Sequence, residues 1–340
     1  MAQPGVLSVN RLAATAALAR YDLPCDSQLR PIRTTNNAVF EVATKDRPDT
    51  ALRYVLRVHR PRYRSPAQTR SELYLLRLLQ DRLPGGQFSV PQPVPARSGS
   101  LVVEVNPTQD ATRHCDLLTW VDGQVRRPGR GLGPRAVYRL GQALAWIHTV
   151  TAALDPSPGF DLPHWDADAM FGPARDQPSG PLSRLITPTD WRLHQEIADR
   201  TRAVFAQLTH EPDARGVLHF DFILGNCHLR RGRTGWHAGI IDFDDCGWGY
   251  LLYDLCPLLG NLADFPGYPI RRQAFLAGYR STRHLPTAWE THLPLLMAAR
   301  HVQSCLWTAQ LEQTSGTGPP AADHIAMRMD LARDCLALPH

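Results

Sequence analysis

Apolar positions recur at helical spacing through residues 8–20, SVNRLAATAALAR, with Ser8 or Asn10 as the expected cap. Leu29–Ile32 and Ala38–Thr44 read as strands around the polar turn Thr34–Asn37. Leu52–His59 reads as a third strand, with Tyr54, Leu56 and Val58 alternating with Val55, Arg57 and His59. Pro66 to Leu79 is an amphipathic helix with Leu73, Leu76 and Leu79 on its apolar face, and Leu101–Val105 is a further strand after a Pro/Gly-rich loop at 84–99. Tyr138–His148 and Thr189–Leu208 carry helical spacing, and 154–188 reads as loop and short turns. Cys227–Leu229 begins a hairpin that turns at Arg231–Gly235, and helices fill 255–340 with breaks near Pro266, Pro286 and 315–320.

Composition narrows the class. A chain of 340 residues with 43% hydrophobic and 20% charged positions buries real cores and is globular, as two domains or one two-lobed unit. Net charge is +5 with basic and acidic residues interleaved, so no nucleic-acid stripe is present. The densest basic cluster, Arg57, Arg60, Arg62 and Arg64, reads either as a solvated surface or, in part, as an attraction for nucleotide phosphates. Lys45 is the single lysine, which we read as codon bias. The 7 cysteines form no Cys-x-x-Cys pair, which points to reduced thiols and a cytoplasmic protein. No segment has the make-up of a signal peptide, and no apolar run reaches the roughly 18 residues of a membrane span.

The chemistry concentrates in GVLHFDFILGNCHLRRGRTGWHAGIIDFDDCGWGYLLYDL, residues 216–255. Asp221 precedes Asn226, and Asp242 follows an apolar run. Phosphoryl transfer from ATP needs a carboxylate that orients the attacking hydroxyl and takes its proton. It also needs a carboxylate and an amide oxygen that hold magnesium on the phosphates. Asp221 suits the first role and the Asn226/Asp242 pair the second. The hairpin between them brings the ends of its strands together. Taken singly, each has a plainer reading as a turn residue; the joint spacing argues against it. A zinc set of His219, Cys227, His228 and Asp242 lacks compact ligand spacing.

The run resembles the aminoglycoside phosphotransferase and choline/homoserine kinase family, whose catalytic loop reads His-Gly-Asp-x-x-x-x-Asn with Ile-Asp-(Trp/Phe) further on. The matching positions are His219, Asp221, Asn226, Ile241, Asp242 and Phe243, with Asp254-Leu255 as the later Asp-Leu pair. The wording IDFDDCGWG is nearest the bacterial stress-response kinase branch. Phe220 stands where the family usually has glycine, and Phe222 and Ile223 replace more polar residues. These two mark either an apolar acceptor approach or loop packing.

The resemblance implies an α+β, protein-kinase-like two-lobe fold. It implies a β-rich nucleotide-binding lobe over 1–116, a hinge over 117–123 and a mainly helical catalytic and acceptor-binding lobe over 124–340. Arg57 stands where a family lysine contacts the ATP phosphates, with Glu72 as its ion-pair partner; the plain alternative is a surface arginine and a solvated glutamate. The backbone of Leu118, Thr119, Trp120 and Val121 would face adenine, and the turn Thr34–Ala38 would cover phosphates. His219 would be architectural, Asp244 and Asp245 would add charge beside the metal, and Asp254 would tie loop backbone. Trp165 and Asp166 look like a landmark of the branch.

The implied activity is transfer of the ATP γ-phosphate to a hydroxyl of a small molecule, with ATP and Mg2+ as cofactors. The acceptor of the alternative reading is a protein, as for a Ser/Thr kinase of the stress-response type. A third reading is a catalytically weak nucleotide-binding regulator, which Arg57 favours and the intact Asp221, Asn226 and Asp242 oppose. From Leu251 to His340 seven acidic residues face seven arginines, a balance that suits a neutral or zwitterionic acceptor better than a polycation.

Overall fold

The computed structural model describes residues 4–33, 37–43, 53–108, 111–154, 156, 159–172, 178, 180–233, 235–315 and 321–338. Thr34–Asn36 of the expected phosphate-covering turn, Lys45, Leu52 and the 316–320 break lie outside them. The chain forms two units. The first comprises Met1–Asp122, Asp155–Leu162 and Gly239–Asp244; the second comprises Gly123–Leu154, Pro163–Ala238 and Asp245–His340.

The first unit is built on an antiparallel sheet. Helix α1 (Pro4–Leu18) starts earlier than expected, so Ser8 and Asn10 lie inside it rather than at its cap. Proline is well suited to a first helical turn, because its missing N–H would have had no partner there. Ala13, Ala14 and Ala17 are fully buried, and their small side chains seat α1 on the sheet core with Phe40, Val42, Val103 and Val105. Strands β1 (Gln28–Arg33), β2 (Ala38–Ala43) and β3 (Arg53–Val58) come next, then α2 (Pro66–Asp81). Ser65 caps α2 in a reciprocal capping box with Gln68, and Pro66 opens the helix.

The expected loop at 84–99 contains two short strands, β4 (Phe88–Ser89) and β5 (Pro93–Val94), followed by β6 (Val103–Thr108) and β7 (Ala111–Thr119). The sheet runs β1-β2-β3-β7-β5, with β6 also paired to β7. Sequence reading missed β7, because Arg113, His114 and Asp116 interrupt its apolar pattern. Asp116 is wholly buried, paired with cations rather than water. The expected alternation of β3 also fails: Arg57 and His59 are buried along with Leu56 and Val58.

In the second unit come β8 (Gln124–Val125), α3 (Pro134–Ala152), β9 (His164–Trp165), α4 (Ala167–Phe171) and α5 (Pro188–Leu208). The 154–188 stretch is therefore less irregular than expected. Asp166 caps α4 by accepting the Ala169 N–H at 2.8 Å. Strands β10 (Arg215–Leu218), β11 (Cys227–Gly232), β12 (Gly235–Ile240) and β13 (Gly247–Tyr250) follow. Helices α6 (Leu251–Asp254), α7 (Cys256–Ala263), α8 (Tyr268–Arg280), α9 (Leu293–Ser315) and α10 (Ala321–Leu336) complete it, interrupted around Pro266 and Pro286 as the sequence predicts.

Helices α3 and α8 cross at backbone contact. A Cβ on Gly141 would lie 2.1 Å from the Phe275 carbonyl oxygen, and one on Gly278 would lie 2.0 Å from that of Tyr138. Only glycine at both positions permits that approach. The sheet-rich N-terminal and helical C-terminal regions make the α+β arrangement the sequence implies. Among the described residues no helix is long and apolar enough to cross a membrane.

Candidate active site

The loop after β10 carries His219, Phe220 and Asp221, and buried polar groups fix its backbone. Asp254, wholly buried at the end of α6, accepts the backbone N–H groups of His219 and Phe220, each at 2.7 Å. His148 of α3 donates from Nε2 to the same carboxylate at 3.0 Å, and its Nδ1 meets the Tyr279 hydroxyl of α8 at 2.8 Å. Three donors compensate a carboxylate that burial would otherwise penalise heavily. Asp254 thus ties loop backbone, as its sequence position suggests. The part played by His148 was not read from sequence; the signal was a lone histidine in an apolar helix.

Phe220 has a φ of 69°, in the left-handed region where the family's usual glycine sits at no cost. A residue with a Cβ is disfavoured there by about 1–2 kcal/mol. Its ring stacks on Trp165 at 4.0 Å and 11°, and on Tyr253 at 5.5 Å and 30°. Aromatic pairs contribute about 0.5–1.5 kcal/mol each beyond area burial, enough to offset that strain. Trp165 also donates Nε1–H to the Asp245 carbonyl at 2.8 Å. The landmark tryptophan therefore has a structural role next to Asp221. Gly247 makes room for it: a Cβ there would lie 2.4 Å from the Pro163 carbonyl oxygen and 2.8 Å from Trp165 Nε1.

Asp221 and Asn226 come together. The chain turns tightly through Ile223 N–H to Asp221 O (2.8 Å) and Asn226 N–H to Ile223 O (3.0 Å). The Asn226 side-chain NH2 donates to the Asp221 carbonyl at 2.9 Å and to its carboxylate at 3.0 Å. Both acceptors demand the nitrogen end of the amide, so the Asn226 Oδ1 faces away. An amide oxygen is a hard donor of the kind magnesium selects. The other Asp221 oxygen pairs with Arg300 of α9, a partner the sequence reading did not identify. Burial works against the Arg300 charge, but Asp221 and further neighbours outweigh it and raise its pKa. Its sequence signal is a single arginine within LPLLMAARHVQSCLW.

Other loop residues are structural. Phe222 is wholly buried and meets the His219 ring edge to face at 5.7 Å, so it packs the loop rather than lining an acceptor approach. His219 is fully buried as well. Burial and then Asp221 push the Cys227 thiol up. Among the described residues no three His, Cys, Asp or Glu side chains are placed together to hold a metal ion, so the zinc set does not assemble.

In the first unit, Arg57 and Glu72 form the expected pair at 2.7 Å, both buried. The sequence reading missed the rest of the cluster. The Arg57 fork also binds Asp116 of β7 through Nε and Nη2, both at 2.9 Å, and His59 Nε2 meets that carboxylate at 2.6 Å. Burial alone would raise Asp116, but Arg57 and His59 outweigh it and hold it at about 2. Burial alone would lower His59, but Asp116 overrides it and raises that imidazole. Arg57 is thus a buried hub and neither of the two plain surface residues. Asp244 lies 3.9 Å from His59 Nδ1, and its carbonyl accepts from Arg64 at 3.0 Å.

Asp242 belongs to the Gly239–Asp244 segment of the same unit, with a φ of 67° and Arg33 at 3.6 Å from its carboxylate. Leu118 lies in the β7 ladder opposite Val55 and Pro93. The N–H groups of Thr119 and Trp120 are already given to Gln92 O (2.9 Å) and Arg53 O (3.0 Å). Val121 is buried just beyond them.

Comparison with known proteins bears on this geometry. A family model described as phosphotransferase enzyme family matches residues 28–295. Amicoumacin kinase of Bacillus subtilis (strain 168) is 25% identical over 304 residues, covering 84% of this chain and 81% of that protein. Among solved structures, a microcompartment-associated aminopropanol kinase superposes with a TM-score of 0.77 at 27% identity, covering 96% of this chain and 95% of that one. The amicoumacin kinase hAmiN, in complex with AMP-PNP, Ca2+ and Ami, gives 0.74 at 19% identity over 98% and 96% of the two chains, a likeness of fold. With a match across most of its length and a loop built as described, the chain belongs to the phosphotransferase enzyme family and is a kinase acting on a hydroxyl acceptor.

Proposed function

We propose that the chain transfers the γ-phosphate of ATP to a hydroxyl group of a small molecule, with Asp221 orienting that hydroxyl and receiving its proton. The observation that carries this is the pair of hydrogen bonds from the Asn226 side-chain NH2 to the Asp221 carbonyl and carboxylate, which fixes the carboxylate and points the amide oxygen away from it. A substrate hydroxyl loses its proton late in transfer, so a fixed carboxylate contributes mainly by aligning it; general-base assistance of this kind gives roughly 10²–10⁴-fold. Arg300 holds one oxygen of Asp221 and restricts its rotation.

Asn226 and Asp242 are the residues we assign to Mg2+. Their oxygen donors suit a hard cation, which when bound would neutralise charge on the nucleotide phosphates. Arg57 retains donors beyond those given to Glu72 and Asp116, and we assign it to the ATP phosphates directly or through the order it imposes on the sheet. Leu118–Val121 are the backbone we assign to adenine, through groups other than the engaged N–H of Thr119 and Trp120. The small-molecule acceptor is supported by the relatives, whose names specify amicoumacin and aminopropanol. Calorimetry of ATP with magnesium and with EDTA tests the metal assignment. Binding should be much tighter with magnesium, and equal affinity in both would remove Asn226 and Asp242 from that role.

A further inference from the structure

Within the first unit, the segment after β3 reaches the turn that carries Asp242. That aspartate has a left-handed φ of 67°, which a residue with a Cβ keeps only where its surroundings enforce it. Phe243, which is buried, follows it, and then Asp244. Two side chains from the segment after β3 converge on Asp244. Arg64 donates Nε–H to its carbonyl at 3.0 Å, and His59 Nδ1 faces its carboxylate at 3.9 Å. The segment is itself anchored. The His59 N–H goes to the His114 carbonyl at 2.9 Å, and the Arg60 N–H to the Asn37 side-chain oxygen at 3.0 Å.

The two facing atoms are incomplete. His59 Nδ1 and Asp244 Oδ1 are both buried, and among the described residues neither has a hydrogen-bond partner. Buried polar atoms nearly always have one. At 3.9 Å they lie outside hydrogen-bond range, and a closure of about 1 Å would join them. The other ring nitrogen is engaged. Burial would raise Asp116, but Arg57 and His59 hold it at about 2, so its carboxylate only accepts. His59 Nε2 therefore carries the proton of their 2.6 Å bond. Burial opposes charge on His59, but Asp116 outweighs it and raises the pKa, with Arg57 opposing and Asp244 adding to the rise. When the ring is charged, its second proton sits on Nδ1, facing Asp244. Asp116 is held in turn by the Arg57 fork, and Arg57 by Glu72. Glu72, Arg57, Asp116, His59 and Asp244 thus alternate in sign along one path inside the first unit.

We propose that His59, with Arg64, is a positioning residue for the metal site: it draws Asp244 in when the magnesium nucleotide binds and so sets the turn that presents Asp242. The path ties the arginine assigned to the phosphates to the carboxylate assigned to the metal, so binding of either ligand favours the other. His59 touches neither ligand in this role and acts through Asp244. The inference rests on the assignment of Mg2+ to Asp242 and adds the residues that place it.

Electrostatics alone and positioning predict opposite signs. Protonated His59 and Arg64 are cations that repel Mg2+, so losing their charge would by itself strengthen metal binding. Losing a positioning contact weakens it. AMP-PNP is titrated calorimetrically, with Mg2+ and with EDTA, into wild type, H59Q and R64Q at pH 6, below the ordinary imidazole value of about 6.5. The Gln amide reaches as far as Nε2, so H59Q keeps a donor for Asp116 and loses the one facing Asp244. The factor by which Mg2+ tightens binding should fall about fivefold or more in H59Q and at least about twofold in R64Q, with affinity in EDTA within about twofold of wild type. A general loosening of the sheet would weaken binding alike in both conditions and leave that factor unchanged. R64Q, at a partly exposed residue, decides if H59Q does not fold. An unchanged or larger factor in the folded variants, or equal losses in both conditions, would overturn the inference. A wild-type protein that binds AMP-PNP equally well in EDTA would instead remove the metal assignment beneath it.

Discussion

Asp116 shows at the scale of one residue how a buried charge is tolerated and what it costs to lose its partners. Two cations hold its carboxyl at about 2, against roughly 3.9 for an ordinary aspartate. A depressed acid stabilises the fold above its unfolded pKa. That contribution is lost as pH falls from about 4 toward about 2. His59 runs the other way. Its pKa is raised by Asp116, so its contribution is complete below the unfolded value near 6.5 and fades as pH rises through the elevated one. Urea unfolding of wild type and His59→Gln at pH 6 and pH 9 checks this. The stability gap between them should narrow at the higher pH; a gap that is constant or widens would contradict the assignment.

Single residues were also where the sequence was least informative. The Arg57–Glu72 pair was legible, because an arginine within an apolar strand and a glutamate on the following helix imply each other within a known family pattern. Asp116 was not legible: its position in the strand was masked by the polar letters around it. Arg300 is the one arginine of α9, and His148 the one histidine of α3. Their partners are 79 and 106 residues away along the chain, so no local pattern announces them.

Elements position the catalytic loop through two separable devices. One is the Asp254 latch, which joins α6, α3 and the loop. Asp254→Asn keeps the shape but offers one acceptor oxygen to two backbone N–H groups, leaving one donor unsatisfied. The expected cost is about 2 kcal/mol of stability, measured by denaturant unfolding. An unchanged midpoint would show that the latch carries no energy. The other device is β9, which brings Trp165 onto Phe220. Trp165→Ala removes the stacked ring and the bond to the Asp245 carbonyl, freeing Phe220 to leave its left-handed conformation. Turnover should fall at least about tenfold through misplacement of the adjacent Asp221, with a lowered melting temperature. Full turnover in a destabilised variant would confine Trp165 to a structural role.

The elements themselves divide by how strongly they are patterned. Long helices such as α2, α5 and α8, and the interruptions between α7 and α9, follow from periodicity and proline. The strands β4, β5 and β9 have two residues each, too short to carry a period, so the sequence offers only the surrounding Pro and Gly, which read as loop. The cap at Ser65 was recoverable from its spacing to Gln68, whereas α1 began before its polar residues, at Pro4, a residue suited to a first helical turn.

For the whole molecule, the fold and the class of chemistry were legible because they are written in one short stretch. His219, Asp221, Asn226 and Asp242 fall at spacings that few other activities require together. The identity of the acceptor was not legible from that stretch.

The central claim, that Asp221 directs an ATP phosphoryl group to a small-molecule hydroxyl, is tested most directly by product formation. Wild type and Asp221→Asn are incubated with Mg-ATP and a panel of hydroxylated amines, amino acids, sugars and sugar acids, and phosphate esters are read by mass spectrometry. Wild type should yield an ester, and Asp221→Asn should form it at least roughly 10²-fold more slowly with Mg-ATP affinity nearly unchanged. An Asp221→Asn protein that makes the ester at the wild-type rate, or a wild-type protein that binds Mg-ATP and esterifies nothing in the panel, would contradict it.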